Sequence, residues 1–133
     1  MAYFLLDTHA WSWNLTGDPR LPTPRLQSIN TADGIHISPV TFYEIAQKVR
    51  LGKWPEMAPY MERLPSLILL QKGHVAPLTP DIMILGASLD WSHRDPFDRM
   101  IAATAIHLQL PLISADTAFD QLSDRKDWPG RVW

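Results

Sequence analysis

The sequence contains no cysteine among its 133 residues. This absence excludes a disulfide scaffold, a thiol nucleophile and a zinc or iron–sulfur centre held by cysteine. An excess of either charge is also lacking, because 12 basic and 14 acidic side chains give a formal net charge of −2. A protein that coats nucleic acid through a polybasic surface is therefore excluded, whereas local basic patches beside an acidic site are compatible with this balance.

Long apolar runs are missing as well. No segment approaches the roughly 18 consecutive apolar residues of a membrane-spanning helix. The first residues lack the basic start of a secretory signal and reach a carboxylate at Asp7. We therefore expect a cytoplasmic protein that does not bind a membrane. The hydrophobic fraction of 46% excludes disorder along the whole chain, and the length fits one domain over residues 1–133.

Short apolar runs alternate with segments of helical spacing. Strands are predicted at residues 3–6, 35–37, 112–114 and 131–133, with another over 75–78. Helices are predicted over residues 39–51, 56–69 and 80–89, from Pro96 to before Pro111, and near 117–122. This alternation predicts an α/β fold, in which a central parallel sheet of four to five short strands has helices on both faces.

Four acids follow the predicted strands. Asp7 follows the first strand, Glu44 lies in the helix after the second, Asp98 opens the long helix, and Asp116 follows the strand at 112–114. Because ligands bind where the carboxyl ends of parallel strands meet, these acids could converge in one cleft. Each aspartate also stands where an acid caps a helix, so spacing alone leaves the capping interpretation open.

Such a cluster needs a compensating charge. Two carboxylates about 4–5 Å apart repel each other by roughly 3–4 kcal/mol at an effective dielectric constant near 20. Oxygen donors without cysteine favour a hard cation, Mg²⁺ or Mn²⁺ as its substitute. Sites of this kind usually act on phosphates. The pattern therefore favours phosphate chemistry without identifying the substrate.

Four segments resemble the motifs of PIN-domain ribonucleases, in particular the toxins of VapBC toxin–antitoxin pairs. They are Leu5-Leu6-Asp7-Thr8-His9-Ala10-Trp11, the run from Ser38 to Lys53 around Glu44, His93-Arg94-Asp95-Pro96-Phe97-Asp98-Arg99, and Ile113-Ser114-Ala115-Asp116-Thr117-Ala118-Phe119. The resemblance covers nearly the whole chain in the right order. It implies a single PIN domain over residues 1–133 in which Asp7, Glu44, Asp98 and Asp116 are catalytic and bind the metal.

The resemblance also implies an activity and partners. The expected protein is a Mg²⁺-dependent endoribonuclease, the toxin of a type II toxin–antitoxin module, which cuts tRNA or another structured RNA and leaves a 5′-phosphate and a 3′-hydroxyl. A VapB-type antitoxin, a homodimer and a larger assembly with the antitoxin are expected as well. The alternative is a catalytically weak PIN-fold module that acts by binding protein.

Several neighbours of the acids are candidates for supporting the site or contacting RNA. They are the hydroxyl residues Thr8 and Ser114, and Asp95, His93, Arg94 and Arg99 beside Asp98. The resemblance places the core acid directly before the long alanine-rich helix, which matches Asp98, and Asp95 is then expected mainly to cap the helix. Lys48, Arg50 and Lys53 either stabilise the end of their helix or contact RNA. Trp11 and Trp13 either pack in the core or line a groove.

Overall fold

The computed structural model describes residues 2–133, which form a five-stranded, fully parallel sheet in the order β3-β2-β1-β4-β5. The strands are β1 (Tyr3–Leu6), β2 (Gly34–Ile37), β3 (Gly73–Val75), β4 (Leu112–Ile113) and β5 (Arg131–Val132). The predicted α/β fold with four to five parallel strands is confirmed. The strand expected over 75–78 lies earlier, because Pro77 has no N–H to donate to a ladder.

Six α-helices connect these strands: α1 (Thr8–Thr16), α2 (Thr23–Thr31), α3 (Pro39–Arg50), α4 (Leu64–Leu70), α5 (Pro80–Ser88) and α6 (Pro96–Leu108). Two 3₁₀ helices cover Pro55–Arg63 and Thr117–Leu122. The helix expected over 56–69 is divided into a 3₁₀ segment and α4, since Pro59 and Pro65 both lack the N–H that a continuous α-helix requires. None of the helices described here has the length and apolar character needed to cross a bilayer.

Helices cover both faces of the sheet, because neighbouring residues of each central strand point to opposite sides. Leu5 and Leu112 are fully buried against α5 and α6, where they meet Ile101. Leu6 and Ile113 are fully buried on the other face, in a cluster that includes Trp11 of α1. Trp11 therefore packs in the core, as the first of its two interpretations predicted.

The strand order places a switch point between β1 and β4. From β1 the chain proceeds to β2 and β3 on one side, whereas β4 and β5 lie on the other side. The backbone N–H of Asp7 donates to the carbonyl of Ile113 at 3.1 Å, which places Asp7 beside the end of β4. Ligands of open α/β sheets bind at this position. Asp7 and Asp116, which follow β1 and β4, therefore mark the edge of the sheet where a site is expected.

Candidate metal centre

Asp7 lies at the end of β1 and is both the N-cap of α1 and a buried acid of the cleft. Its Oδ1 atom accepts a hydrogen bond from the backbone N–H of Ala10 at 2.9 Å. The residue is only 6% exposed. The capping and site interpretations are therefore compatible, because the cap occupies a single carboxylate oxygen.

Burial raises the pKa of Asp7 from 3.8 to about 7, and this is the largest effect on that carboxyl. Hydrogen bonds from the Ser114 hydroxyl and from the Ala10 N–H lower the pKa, whereas the negative charges of Asp98 and Glu44 raise it further. Asp7 therefore senses the charges of acids that lie 37 and 91 positions further along the chain. These three acids therefore lie close enough for their charges to interact.

Glu44 projects from α3 and is also buried, with 7% of its surface exposed. Its Oε2 atom accepts a hydrogen bond from Nζ of Lys48, one turn further along the same helix, at 2.7 Å. This ion pair offsets part of the cost of burying the carboxylate. Lys48 thus has a defined partner at the site, which goes beyond the helix-end role considered from the sequence.

The geometry of α6 gives Asp95 and Asp98 different roles. Asp95 is the N-cap, and its Oδ1 atom accepts from the N–H of Phe97 at 2.9 Å. Asp98 lies in the first turn, with Oδ2 at 2.7 Å from Nε2 of His93. Burial raises the pKa of Asp98 to about 6, His93 lowers it, and the charges of Asp95 and Glu44 raise it.

Asp116 follows β4 and completes the edge of the site. Its Oδ1 atom caps the 3₁₀ helix by accepting from the N–H of Ala118 at 2.9 Å, and its own N–H donates to Oγ of Ser114 at 3.0 Å. One donor atom each of Asp116, Asp98 and His93 lie within 4.8 Å of one another. This spacing is compatible with ligands that share one ion.

The donor set fits a divalent cation on two grounds. Carboxylates of Asp98 and Asp116 and an imidazole nitrogen of His93 converge within 4.8 Å. Behind them, burial raises the pKa values of Asp7 and Asp98, so the ionised forms lack a compensating charge. Two carboxylates with one imidazole would suit Mg²⁺ or Mn²⁺, the second of which accepts nitrogen more readily.

Two of the predicted supporting residues hold parts of the site in place. Oγ1 of Thr8 lies 2.9 Å from Oγ1 of Thr41 in a buried contact that joins α1 to α3. Ser114 is fully buried between Asp7 and the N–H of Asp116. Sequence reasoning missed Thr41, although it stands three residues before Glu44 and therefore shares its face of α3.

Arg99 holds the loop that carries His93. Its guanidinium donates all five of its N–H groups to backbone carbonyls, those of Gly86, Ala87, Leu89, Trp91 and His93. No donor is left for a phosphate, so the geometry favours support of the site over contact with RNA. Arg94, in contrast, is exposed and forms no ion pair with any residue from 2 to 133.

Three known families or proteins are similar to this chain in sequence or in fold. The family described as PIN domain matches residues 4–125. Ribonuclease VapC22 of Mycobacterium tuberculosis (strain ATCC 25618 / H37Rv) is 28% identical over 134 residues, which cover 100% of each chain. A chain in the crystal structure of VapBC2 from Rickettsia felis bound to a DNA fragment from their promoter superposes with a TM-score of 0.66. That match covers 98% of this chain and 97% of the other at 16% identity, so it concerns the fold alone.

Proposed function

The chain belongs to the PIN-domain family, and from this premise we propose that it is a metal-dependent endoribonuclease. The reaction is hydrolysis of an RNA phosphodiester at Asp7, Glu44, Asp98 and Asp116. The observation that carries the proposal is the meeting of Asp98, Asp116 and His93 donors within 4.8 Å, beside the buried carboxyl of Asp7. The ribonuclease name of the relative that matches over the full length supports the same activity.

The metal would be Mg²⁺, with Mn²⁺ as a substitute, held by the four acids directly or through water. When bound, such a cation supplies a Lewis acid that neutralises phosphate charge and lowers the pKa of a coordinated water. Glu44, fixed by Lys48 at 2.7 Å, orients the attacking water by accepting its hydrogen bond. Ser114 contacts Asp7 and Asp116, Thr8 joins α1 to α3 through Thr41, and Arg99 fixes the loop on which His93 stands.

The domain and its partners form the second part of the proposal. The PIN domain spans residues 1–133, because β5 at Arg131–Val132 lies beyond the matched residues and pairs with β4 to complete the sheet. The protein is the toxin of a type II toxin–antitoxin module in the cytoplasm. Its partner is a VapB-type antitoxin, with which a homodimer of this chain forms a larger assembly. The VapBC2 complex that shares the fold supports a VapB-type antitoxin as the partner.

Cleavage of a mixed pool of tRNA and other structured RNA tests the activity. Folded, antitoxin-free protein is incubated with Mg²⁺, with EDTA, and as the Asp7→Asn variant with Mg²⁺. We expect discrete cuts only in the first case. If the wild-type protein makes no metal-dependent cuts, the activity is absent and the protein-binding module becomes the better interpretation.

A further inference from the structure

The last strand of the sheet lies beside the segment that carries Asp116. β5 pairs in parallel with β4, so that Arg131 is the register partner of Leu112. The backbone N–H of Ser114 donates to the carbonyl of Val132 at 3.4 Å, just before the chain reaches Asp116. β5 lies after residues 4–125, which the family match covers. This strand is thus placed to hold the residues that follow β4.

The side chain of Arg131 joins two points of the segment after β4. Nε and Nη2 donate to the two carboxylate oxygens of Asp120, at 3.0 and 2.8 Å, and form a bidentate ion pair. Nη1 donates to the backbone carbonyl of Ser114 at 3.1 Å. The side chain of Arg131 is only 16% exposed. One guanidinium therefore holds residues 114 and 120, and Asp116 lies between them.

Asp116 is the exposed member of the candidate centre, and its own hydrogen bonds are local. Its N–H donates to Oγ of Ser114 and its Oδ1 atom accepts from the N–H of Ala118, so both contacts lie within residues 114–118. The fully buried Phe119 anchors the apolar side of the 3₁₀ helix in the core. Arg131 adds a polar anchor on each side of Asp116 along the chain.

Two acids of the site depend on what Arg131 holds. The hydrogen bonds to Asp120 raise the pKa of Arg131 most, and the negative charge of Asp116 raises it as well, so the guanidinium lies close enough to attract both carboxylates. The hydroxyl of Ser114 also hydrogen-bonds with Asp7. Arg131 therefore affects Asp116 through the segment and through its charge, and it affects Asp7 through Ser114.

We propose that Arg131 is a positioning residue of the metal centre. It holds the segment from Ser114 to Asp120 so that a carboxylate oxygen of Asp116 stays within 4.8 Å of the donor atoms of Asp98 and His93. Without these contacts a cation must order the exposed segment before Asp116 can bind it, and this ordering lowers the affinity. The inference rests on the proposed function, because it takes Asp116 as a metal ligand.

Calorimetric titration of the folded, RNA-free protein with Mn²⁺ tests the role of Arg131. Arg131→Ala should bind Mn²⁺ about ten-fold more weakly, as expected when a residue that supports a metal ligand is lost. Arg131→Lys should restore only part of the affinity, since an ammonium keeps the charge but lacks the planar fork. Arg125→Ala is the matched control, because Arg125 forms the same kind of bidentate pair with Asp127 outside the segment. It should bind Mn²⁺ like the wild type.

Asp120→Asn gives a second variant at a position that tolerates change. The side chain of Asp120 is 49% exposed, and the substitution removes the ion pair but leaves the contact between Arg131 and Ser114. We expect Asp120→Asn to weaken Mn²⁺ binding less than Arg131→Ala does. The double variant should bind Mn²⁺ as weakly as Arg131→Ala alone, because the ion pair is already absent there.

Amide exchange in EDTA distinguishes placement of the segment from general stability. Measured by NMR on the metal-free protein, Arg131→Ala should accelerate exchange of the N–H groups of Asp116 and Ala118, which hydrogen-bond inside the segment. Exchange of the Ala10 N–H, which is bonded to Asp7 at the start of α1, should stay unchanged. Equal acceleration at all three amides would mean that the variant only lowers global stability, and the inference would be wrong.

The remaining outcomes separate this inference from the proposed function. A folded Arg131→Ala with wild-type affinity for Mn²⁺ overturns the positioning role. If that variant does not fold, wild-type affinity of Asp120→Asn overturns it instead. If Mn²⁺ binding depends on Arg131 as expected but the wild-type protein cuts no RNA, the nuclease proposal fails and the positioning role stands. If the wild-type protein does not bind Mn²⁺, both fail.

Discussion

Nε2 of His93 lies 2.7 Å from Oδ2 of Asp98, so an imidazole is in direct contact with the acid that opens α6. The same ring stacks on Trp91 at a centroid distance of 4.8 Å, and Arg99 holds the backbone carbonyl of His93 at 2.8 Å. The ring position is therefore set by packing and by a backbone contact. His93 and Asp98 are thereby held within 4.8 Å of a carboxylate oxygen of Asp116.

Removal of this imidazole should weaken cation binding. We expect His93→Ala to lower the affinity for Mn²⁺ at least about 10-fold, because His93 is one of the three candidate ligands and also contacts the carboxylate of Asp98. Calorimetric titration of the folded variant measures the change. His107→Ala, at the exposed end of α6, is the matched control and should bind Mn²⁺ like the wild type. An unchanged affinity in His93→Ala would show that the contact has no part in the centre.

The raised pKa of Asp7 predicts how stability depends on pH in the absence of metal. The pKa is about 7 in the folded protein, against an ordinary value of 3.8, so the folded state binds more protons between these values. The contribution of Asp7 to the free energy of unfolding therefore falls as pH rises through this interval. The contributions of His9 and His36 to the free energy of unfolding rise with pH instead. Burial lowers the pKa values of both imidazoles, so the folded state binds fewer protons there than the unfolded state does.

Asp7→Asn isolates the effect of this carboxyl. The asparagine oxygen still caps α1, and the buried negative charge is gone. We expect Asp7→Asn to raise the melting temperature of the metal-free protein by about 5 °C at pH 8, and to change it little at pH 4, where Asp7 is protonated in the folded protein. Thermal unfolding in EDTA at both values measures the difference. Equal stabilisation at both pH values would mean that the charge of Asp7 is not the cause.

Asp98 and Asp95 provide a matched pair for activity. Asp98→Asn should reduce RNA cleavage at least about 100-fold, because this carboxyl is placed to bind the metal. Loss of a residue that only supports a metal ligand already lowers metal affinity or activity about 10–100-fold. Asp95→Asn should retain near-wild-type activity and stability, since asparagine caps a helix as well as aspartate does. Initial cleavage rates at saturating Mg²⁺ compare the two. Equal losses would contradict the separation of a capping acid from a metal-binding acid.

Arg99 should be required for stability. Arg99→Lys leaves several partly buried carbonyls between Gly86 and His93 without a donor, because an ammonium has three N–H groups and no planar fork. We expect a loss of about 2–4 kcal/mol in the free energy of unfolding. Urea denaturation measures it, with Arg94→Lys as the exposed control. If both variants unfold at the same urea concentration, the five contacts of Arg99 do not stabilise the loop.

Sequence patterns located most elements of this fold for identifiable physical reasons. Ser38 before Pro39 and Asp95 before Pro96 marked helix starts that the structure contains, because capping oxygens and a fixed proline φ act locally. The strand predicted over 75–78 lies at Gly73–Val75 instead, and the helix predicted over 56–69 is divided in two. Both errors arise where several prolines compete with a weak apolar pattern, as in the segment with Pro59 and Pro65.

Positions after strands and the family resemblance together selected the four acids as candidates, but did not give their partners. That Asp98 contacts His93 and Glu44 contacts Lys48 could be suspected, since each pair is close in sequence. The contact between the rings of His9 and Trp54 could not be predicted, because 45 positions separate the two residues and Trp54 lies in no helix or strand. Contacts of this kind depend on how α1 packs against the segment after α3, which local patterns do not determine.

The chemistry of the RNA ends left by the protein tests the central claim most directly. Hydrolysis by a water at the acid cluster predicts a 5′-phosphate and a 3′-hydroxyl, formed with Mg²⁺, absent in EDTA and absent with Asp7→Asn. End-specific labelling of the cleaved RNA distinguishes these ends from a 2′,3′-cyclic phosphate. A cyclic phosphate that forms equally in EDTA would mean that the 2′-hydroxyl attacks without a metal, and it would contradict the assignment of the four acids.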